Sequence, residues 1–264
     1  MSEIETLVDW IEKKEKMVAM VAPSFPIMYE ASDLIGKLKQ VGFSYVVEVS
    51  VGAAWTNAAV AEAISKDDKS RYITAPCPSV VRMIRANYPH LLKYLALQID
   101  SPMAATARRI DEKGLGLKKV FVGPCIAKKF EASEDRKELS ILVITYNELN
   151  NLLEKLGIKE KSASENTFDW EFSKTRLYPI SGGLAQSSEI KNLLSESELG
   201  VVSGWKNCRE ALDNFETSGL RLLDILFCEG GCVNGPGIVS NLSLVDRRAR
   251  VVNYWQKSQL CQEC

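Results

Sequence analysis

Apolar residues fall into short continuous runs, each followed by a turn rich in glycine, proline or serine and then by a stretch of helical spacing. Runs at 17–22, 45–51, 71–75 and 119–122, and again at 140–145, 176–180, 199–203 and 223–227, read as strands. Helical patterns lie between them, roughly over 27–40, 55–65, 78–88 and 147–156, with Gly42 and Gly157 as stops and Ser101-Pro102 as a start. Ile4, Leu7, Val8 and Ile11 recur at helical spacing among charges and predict an amphipathic N-terminal helix. Residues 158–169 are polar and loop-like.

Strands that are apolar nearly throughout and alternate with helices imply parallel sheets covered on both faces. The expected fold is α/β with two lobes, each a four-stranded parallel sheet flanked by helices. The lobes divide at residue 139: an N-terminal lobe over 1–139, and a C-terminal lobe over 140–264 that closes with a helix and a Cys-x-x-Cys tail, Cys261 and Cys264. Open parallel sheets bind ligands beyond the carboxyl ends of their strands. Four cysteines fall there, which places a metal-cluster site between the lobes.

Cys77 sits in Thr74-Ala75-Pro76-Cys77-Pro78 and Cys125 in Gly123-Pro124-Cys125, while Cys228 and Cys232 share a glycine-rich loop that ends at Pro236-Gly237. Any one of these fits a buried small residue, and the pair at 228 and 232 fits a disulfide. Four in turns after strands favour a shared inorganic ligand. Thiolates without a nearby histidine suit zinc or an iron–sulfur cluster. Structural zinc draws on short local pairs, whereas these ligands come from separate strand ends across residues 77 to 232, an arrangement better matched to a 4Fe-4S cube.

Composition narrows the partners. With 46% hydrophobic residues a substantial core is available, and 33 basic against 34 acidic residues leave a formal charge of -1, which argues against nucleic acid or a membrane surface. The first sixteen residues are charge-rich and no apolar stretch reaches the length of a membrane span, so a cytoplasmic protein with reduced thiols is expected. The lone histidine, His90, lies in an ordinary amphipathic stretch and reads as surface, which leaves no histidine-based triad. Arg247, Arg248 and Arg250 read as a solvated helix face, and Cys208 as core.

The cysteine segments resemble, in order, the signature loops of the iron-only (FeFe) hydrogenase catalytic domain. Thr74 to Pro78 resembles Thr-Ser-Cys-Cys-Pro, Gly123 to Glu131 resembles Met-Pro-Cys-x-x-Lys-x-x-Glu, and Leu226 to Gly237 resembles Met-Ala-Cys-x-x-Gly-Cys-x-x-Gly-Gly-Gly. Ala22-Pro23-Ser24, Tyr146 to Leu149, Ser181 to Leu184 and Val202 to Gly204 match further landmarks. The resemblance implies that Cys77, Cys125, Cys228 and Cys232 ligate a 4Fe-4S cube. It implies that the Cys232 sulfur bridges to a two-iron subsite carrying CO, cyanide and a dithiolate. Pro23 and Ser24 would cover that subsite, with Lys128 and Ser24 as donors to cyanide in an apolar pocket.

Departures from the family pattern bear on turnover. Where the resemblance implies a proton relay of cysteine, glutamate, serine and glutamate, this chain has Pro76, Val60, Ala96 and Ala63, none of which passes a proton. Glu62 is one residue off, about 100 degrees round the helix. Gly123 and Leu226 replace methionines, Pro236 interrupts the last glycine run, and no cysteine precedes Cys77 to carry ferredoxin-type clusters. The pattern resembles the family's sensory branch, and implies a hydrogen sensor that turns over H2 and protons slowly. Its partners would be a redox or signalling protein and the hydrogenase maturation proteins. The alternative is a non-catalytic 4Fe-4S protein for electron transfer or cluster handling.

Overall fold

A computed structural model describes residues 2–159 and 166–260. Strands β1 (Met17–Val21) and β2 (Phe43–Glu48) precede the two-residue β3 (Tyr72–Ile73); β4 (Lys118–Gly123), β5 (Ile141–Thr145), β6 (Leu199–Ser203) and β7 (Leu222–Leu226) follow. They form two parallel sheets, one ordered β2-β1-β4-β5 and the other β3-β7-β6. Every residue of β1 and β7 is buried, which explains the continuous apolar run of β1 and that of β7, interrupted by the buried Asp224. Val21 pairs with both Glu48 and Val122, so these strands end level and their turns emerge along one edge.

Helices α1 (Glu3–Glu12), α2 (Ala31–Val41), α3 (Ser50–Lys66), α4 (Pro78–Asn87) and α5 (Pro102–Glu112) lie in the first half. A short α6 (Lys128–Phe130) leads to α7 (Tyr146–Lys155), α8 (Gly183–Gln186), α9 (Ile190–Leu193), α10 (Trp205–Asp213) and α11 (Leu244–Leu260). The N-terminal helix opens with a capping box between Ser2 and Glu5, and α2 stops at Gly42 in the left-handed region. The α2 start moves from about 27 to Ala31 because residues 25–27 close a separate 3₁₀ turn with Pro26 inside it. Gly52 lets α3 cross closely over the start of α5: a Cβ there would stand 2.1 Å from the Pro102 carbonyl oxygen.

Two expectations are corrected. Residues 176–180 form no strand, so the second sheet has three strands. Their backbone N–H groups close local turns instead, Arg176 to Ser173, Tyr178 to Thr175 and Ile180 to Leu177, while Pro179 has no N–H to donate. Sheet membership also crosses residue 139. The early β3 pairs with the late β7, and β5, just past the division, adds to the first sheet beside β4 through the crossover of residues 124–140. Among the described residues, no helix is long and apolar enough to cross a membrane.

Candidate metal-cluster site

All four expected ligands stand at the carboxyl ends of parallel strands. Cys77 follows β3 and serves as the N-cap residue of α4, with Pro78 in the first turn; a thiolate there faces the helix's positive end. Cys125 follows Pro124 at the end of β4, and Cys228 ends the run leaving β7. The loop carrying Cys228 and Cys232 is held from both sides. Val233 N–H donates to the Pro179 carbonyl at 3.3 Å, Ser181 N–H to Gly230 at 3.0 Å, and Gly237 N–H to the Pro124 carbonyl at 2.8 Å. Gly231 makes this approach possible: its φ is +101°, and a Cβ would lie 2.6 Å from the Pro179 carbonyl oxygen.

The four sulfurs share one electrostatic environment. Burial pushes the Cys228 thiol up to about 12, with Cys77 and Cys125 adding to the shift. Cys232 is driven well above the ordinary range by burial and by Cys77, Cys125 and Cys228 together, with Lys128 opposing. Cys125 is raised by burial and Cys77, against Lys128 and the N–H groups of Ala127 and Lys128. Four thiolates gathered this way repel one another, and a positively charged metal group is what would let them ionise together. The donor set fits such a group. Among the described residues, no three histidine, cysteine or carboxylate side chains are gathered for a single metal ion.

Cys208 belongs to the core as expected, fully buried with its S–H directed at the Leu226 carbonyl 3.3 Å away. His90 is exposed. Cys261 and Cys264 lie outside the described residues.

A cavity of about 70 Å³ opens beside Cys125 and Cys232. Its wall is mostly apolar, including Pro23, Pro76, Met103, Phe121 and Leu226, and the non-cysteine polar side chains in it are Ser24, Lys128 and Tyr178. Neither expected donor is free. Tyr146 gives its proton to the Ala22 carbonyl at 2.7 Å, so at the 2.9 Å contact between Ser24 and Tyr146 the serine donates. Ser24 does not cap the following turn. The buried Lys128 ammonium donates to the Pro76 carbonyl at 3.1 Å, the Ser101 hydroxyl at 3.1 Å and the Glu131 carboxylate at 2.5 Å, which uses its three protons. Ser101 donates in turn to Glu131.

Tyr178 escaped sequence reasoning. Its side chain is among those that line the cavity, while its hydroxyl is fully buried and has no hydrogen-bond partner. Burial, then Asp224 and Cys232, hold its pKa well above normal, so the phenol keeps its proton. The available signal was a polar tip inside an apolar run beside Pro179, at a landmark where only Ser181 to Leu184 drew attention. The relay positions are apolar as read: Val60 and Ala96 are buried in place, and Glu62 points outward, paired with Lys66 at 2.6 Å.

The model of the iron-only hydrogenase large subunit, C-terminal domain, matches residues 15–236. The chain belongs to this family. Iron hydrogenase 1 of Clostridium pasteurianum is 26% identical over 266 aligned residues, covering 78% of this chain and 46% of that protein. The probable cytosolic Fe-S cluster assembly factor oxy-4 of Caenorhabditis elegans is 22% identical, covering 81% of this chain and 59% of its own length. The cytosolic Fe-S cluster assembly factor NAR1 of Yarrowia lipolytica is 30% identical over 132 residues, 44% of this chain and 26% of that protein. This family member therefore spans less than two thirds of each of these relatives. Among solved structures, a variant of [FeFe]-hydrogenase HydA1 from Chlamydomonas reinhardtii superposes with a TM-score of 0.75 at 16% identity, over 95% of this chain and 88% of that one. That likeness is one of fold.

Proposed function

We propose that this iron-only hydrogenase-family domain holds a 4Fe-4S cube on Cys77, Cys125, Cys228 and Cys232, with a two-iron group bridged through Cys232, and acts as a hydrogen sensor of low turnover. The observation that carries the reading is the apolar cavity beside Cys232. It has room for several water-sized groups within a mostly apolar wall. The sulfurs act on one another electrostatically, as ligands of one shared cluster would.

When bound, the two-iron group would supply reversible cleavage of H2 into two protons and two electrons. The chain's own residues favour slow exchange. Pro76 lines the cavity, Val60 and Ala96 are buried apolar side chains at two of the expected relay positions, and the Lys128 protons are held by Pro76, Ser101 and Glu131. Maturation proteins would deliver the group, and a redox or signalling partner would receive the change in cluster state.

A second reading has its own support: a cube alone, serving electron transfer or cluster handling like the relatives named for cluster assembly. The engaged protons of Ser24 and Lys128 favour it, because neither is left to face a cyanide. Anaerobic reconstitution of the cube followed by maturation with a synthetic two-iron complex separates the two. CO and cyanide infrared bands that respond to H2 support the sensor; a paramagnetic reduced cube with no such bands supports the second reading.

A further inference from the structure

The second sheet stops at three strands, and one of its edges is bare. At the β3 edge Ile73 bridges to Leu95, and its carbonyl accepts from the Ala96 N–H at 3.0 Å. At the other edge β6 pairs with β7 alone among the described residues. The Leu222 N–H donates to the Glu198 carbonyl at 3.0 Å and the Gly204 N–H to the Leu226 carbonyl at 3.1 Å, so residues 198, 200, 202 and 204 direct their backbone groups at β7. Alternate residues of a parallel ladder face opposite sides, and the N–H and C=O groups of Leu199, Val201 and Ser203 therefore point away from the sheet. Of these, the Ser203 carbonyl has one local donor, the Asn207 side chain at 2.8 Å, and keeps its second lone pair. Natural edges are blunted by charge, proline or a covering element. Leu199-Gly200-Val201-Val202-Ser203 contains neither charge nor proline, and Val201 is 45% exposed.

We infer that β6 is the docking edge for a second copy of this chain, the two strands pairing antiparallel about a two-fold axis at Val201. Centred there, Val201 meets its own counterpart and Leu199 meets the partner's Ser203. The outward-facing residues then stand opposite one another, the arrangement in which antiparallel pairs exchange both of their hydrogen bonds. The charges flanking the strand select the same orientation. Glu196 lies just ahead of β6 and Lys206 just past it; both are exposed, and neither has an ion pair within the chain, the Lys206 ammonium lying 5.7 Å from the centre of the Trp205 ring. Antiparallel pairing brings the Glu196 end of each copy to the Lys206 end of the other, whereas parallel pairing sets like charges together. Trp205, 50% exposed at the end of the strand, adds apolar surface to the seam. The Ser203 hydroxyl accepts from the Gly230 N–H at 3.2 Å, so the seam ends against the loop that carries Cys228 and Cys232. A seam of five residues on each side is small, which makes the association concentration-dependent.

The test is sedimentation velocity of the full chain, purified anaerobically, over about 5–200 µM, the range suited to a small interface. Four proteins are compared: wild type, Val201→Pro, Lys206→Glu, and Lys206→Glu combined with Glu196→Lys. Wild type should pass from one chain mass to two as its concentration rises. Val201→Pro removes an N–H that has no bond within the chain, and should stay monomeric with its circular dichroism unchanged. Lys206→Glu should weaken the dimer about tenfold, since the two-fold axis repeats each contact, and adding Glu196→Lys should restore it. Wild type that stays monomeric across the range overturns the inference and leaves the edge to a strand of another protein. A dimer that persists unchanged in both Val201→Pro and Lys206→Glu puts the interface elsewhere and overturns it equally. Should Val201→Pro fail to fold, the charge pair decides: no weakening in Lys206→Glu, or no recovery in the double variant, overturns the inference. None of these readouts depends on which iron group the cysteines hold.

Discussion

The Ser24 hydroxyl lies 2.9 Å from the Tyr146 phenol, which is itself fully buried and donates to the Ala22 carbonyl at 2.7 Å. Ala22, Pro23 and Ser24 form the turn after β1, so a tyrosine at the start of α7 fixes the lip of the cavity from 122 residues away.

Tyr146→Phe should loosen that lip. It removes the acceptor of the Ser24 proton and the donor to Ala22, at an expected cost of roughly 1–3 kcal/mol in chemical denaturation. With the two-iron group loaded, the released Ser24 hydroxyl becomes available to the cavity and one infrared band should shift. Wild-type stability together with unchanged bands would show that this contact does not position the turn.

Lys128 and Glu131 form a buried pair at 2.5 Å, 9% and 6% exposed, with Ser101 bonded to both. Glu131→Gln should destabilise the fold by about 3–5 kcal/mol, since it leaves an ammonium without its counter-charge inside the protein. The double variant Lys128→Met, Glu131→Gln should lose less than the sum of the two single losses, because the stranded charge is gone. Urea denaturation of the four proteins tests the pair; additive losses would contradict it.

Much of this was legible in the chain because it depends on local pattern. A strand buried on both faces is apolar nearly throughout, so β1, β4, β5 and β7 are legible despite Lys118 and Lys119 in β4 and Asp224 in β7, and the turns after β3, β4 and β7 carry their cysteines openly. The run at 176–180 has the same composition, but Pro179 and three local turns remove its backbone from any ladder, a matter of hydrogen bonding that hydrophobicity does not encode. Sheet membership was equally hidden, since β3 and β7 meet across a long stretch of sequence. The partners of Lys128 and Ser24 are likewise tertiary: Ser101, Pro76 and Tyr146 carry no mark of that role in their own segments. An unpaired Tyr178 hydroxyl is visible only once everything around it has been placed.

Asp224 predicts a pH dependence. Its side chain is buried in β7 with the Ala185 N–H as its hydrogen-bond donor, and burial raises its pKa to about 6 against that bond. The fold therefore prefers the protonated acid. The associated stability is fully present below the unfolded value of about 4 and is lost as pH rises through about 6, roughly 3 kcal/mol in all. Asp224→Asn should flatten this part of the profile. Thermal unfolding between about pH 4 and 7.5, with cluster content held constant, is the measurement; equal slopes for the two proteins would contradict the assignment.

Gly231→Ala tests how the second pair of sulfurs is held. An alanine there must keep a φ of +101°, outside the ordinary range for a residue with a Cβ, and its methyl would meet the Pro179 oxygen at 2.6 Å and the Ser181 nitrogen at 2.9 Å. Both atoms are backbone, in the turn that also accepts from Val233 and donates to Gly230, so neither gives way without moving the cysteine loop. The loop should shift, carrying Cys228 and Cys232 away from Cys125, and reconstituted protein should bind less iron and sulfide with its circular dichroism retained. Gly114→Ala supplies the control. Gly114 has a φ of +66° but no atom within 4 Å of its Cβ position, so it carries conformational strain of about 1 kcal/mol without a collision and should keep the cube. If both variants bind iron and sulfide like wild type, close packing on Pro179 is not what positions these two ligands.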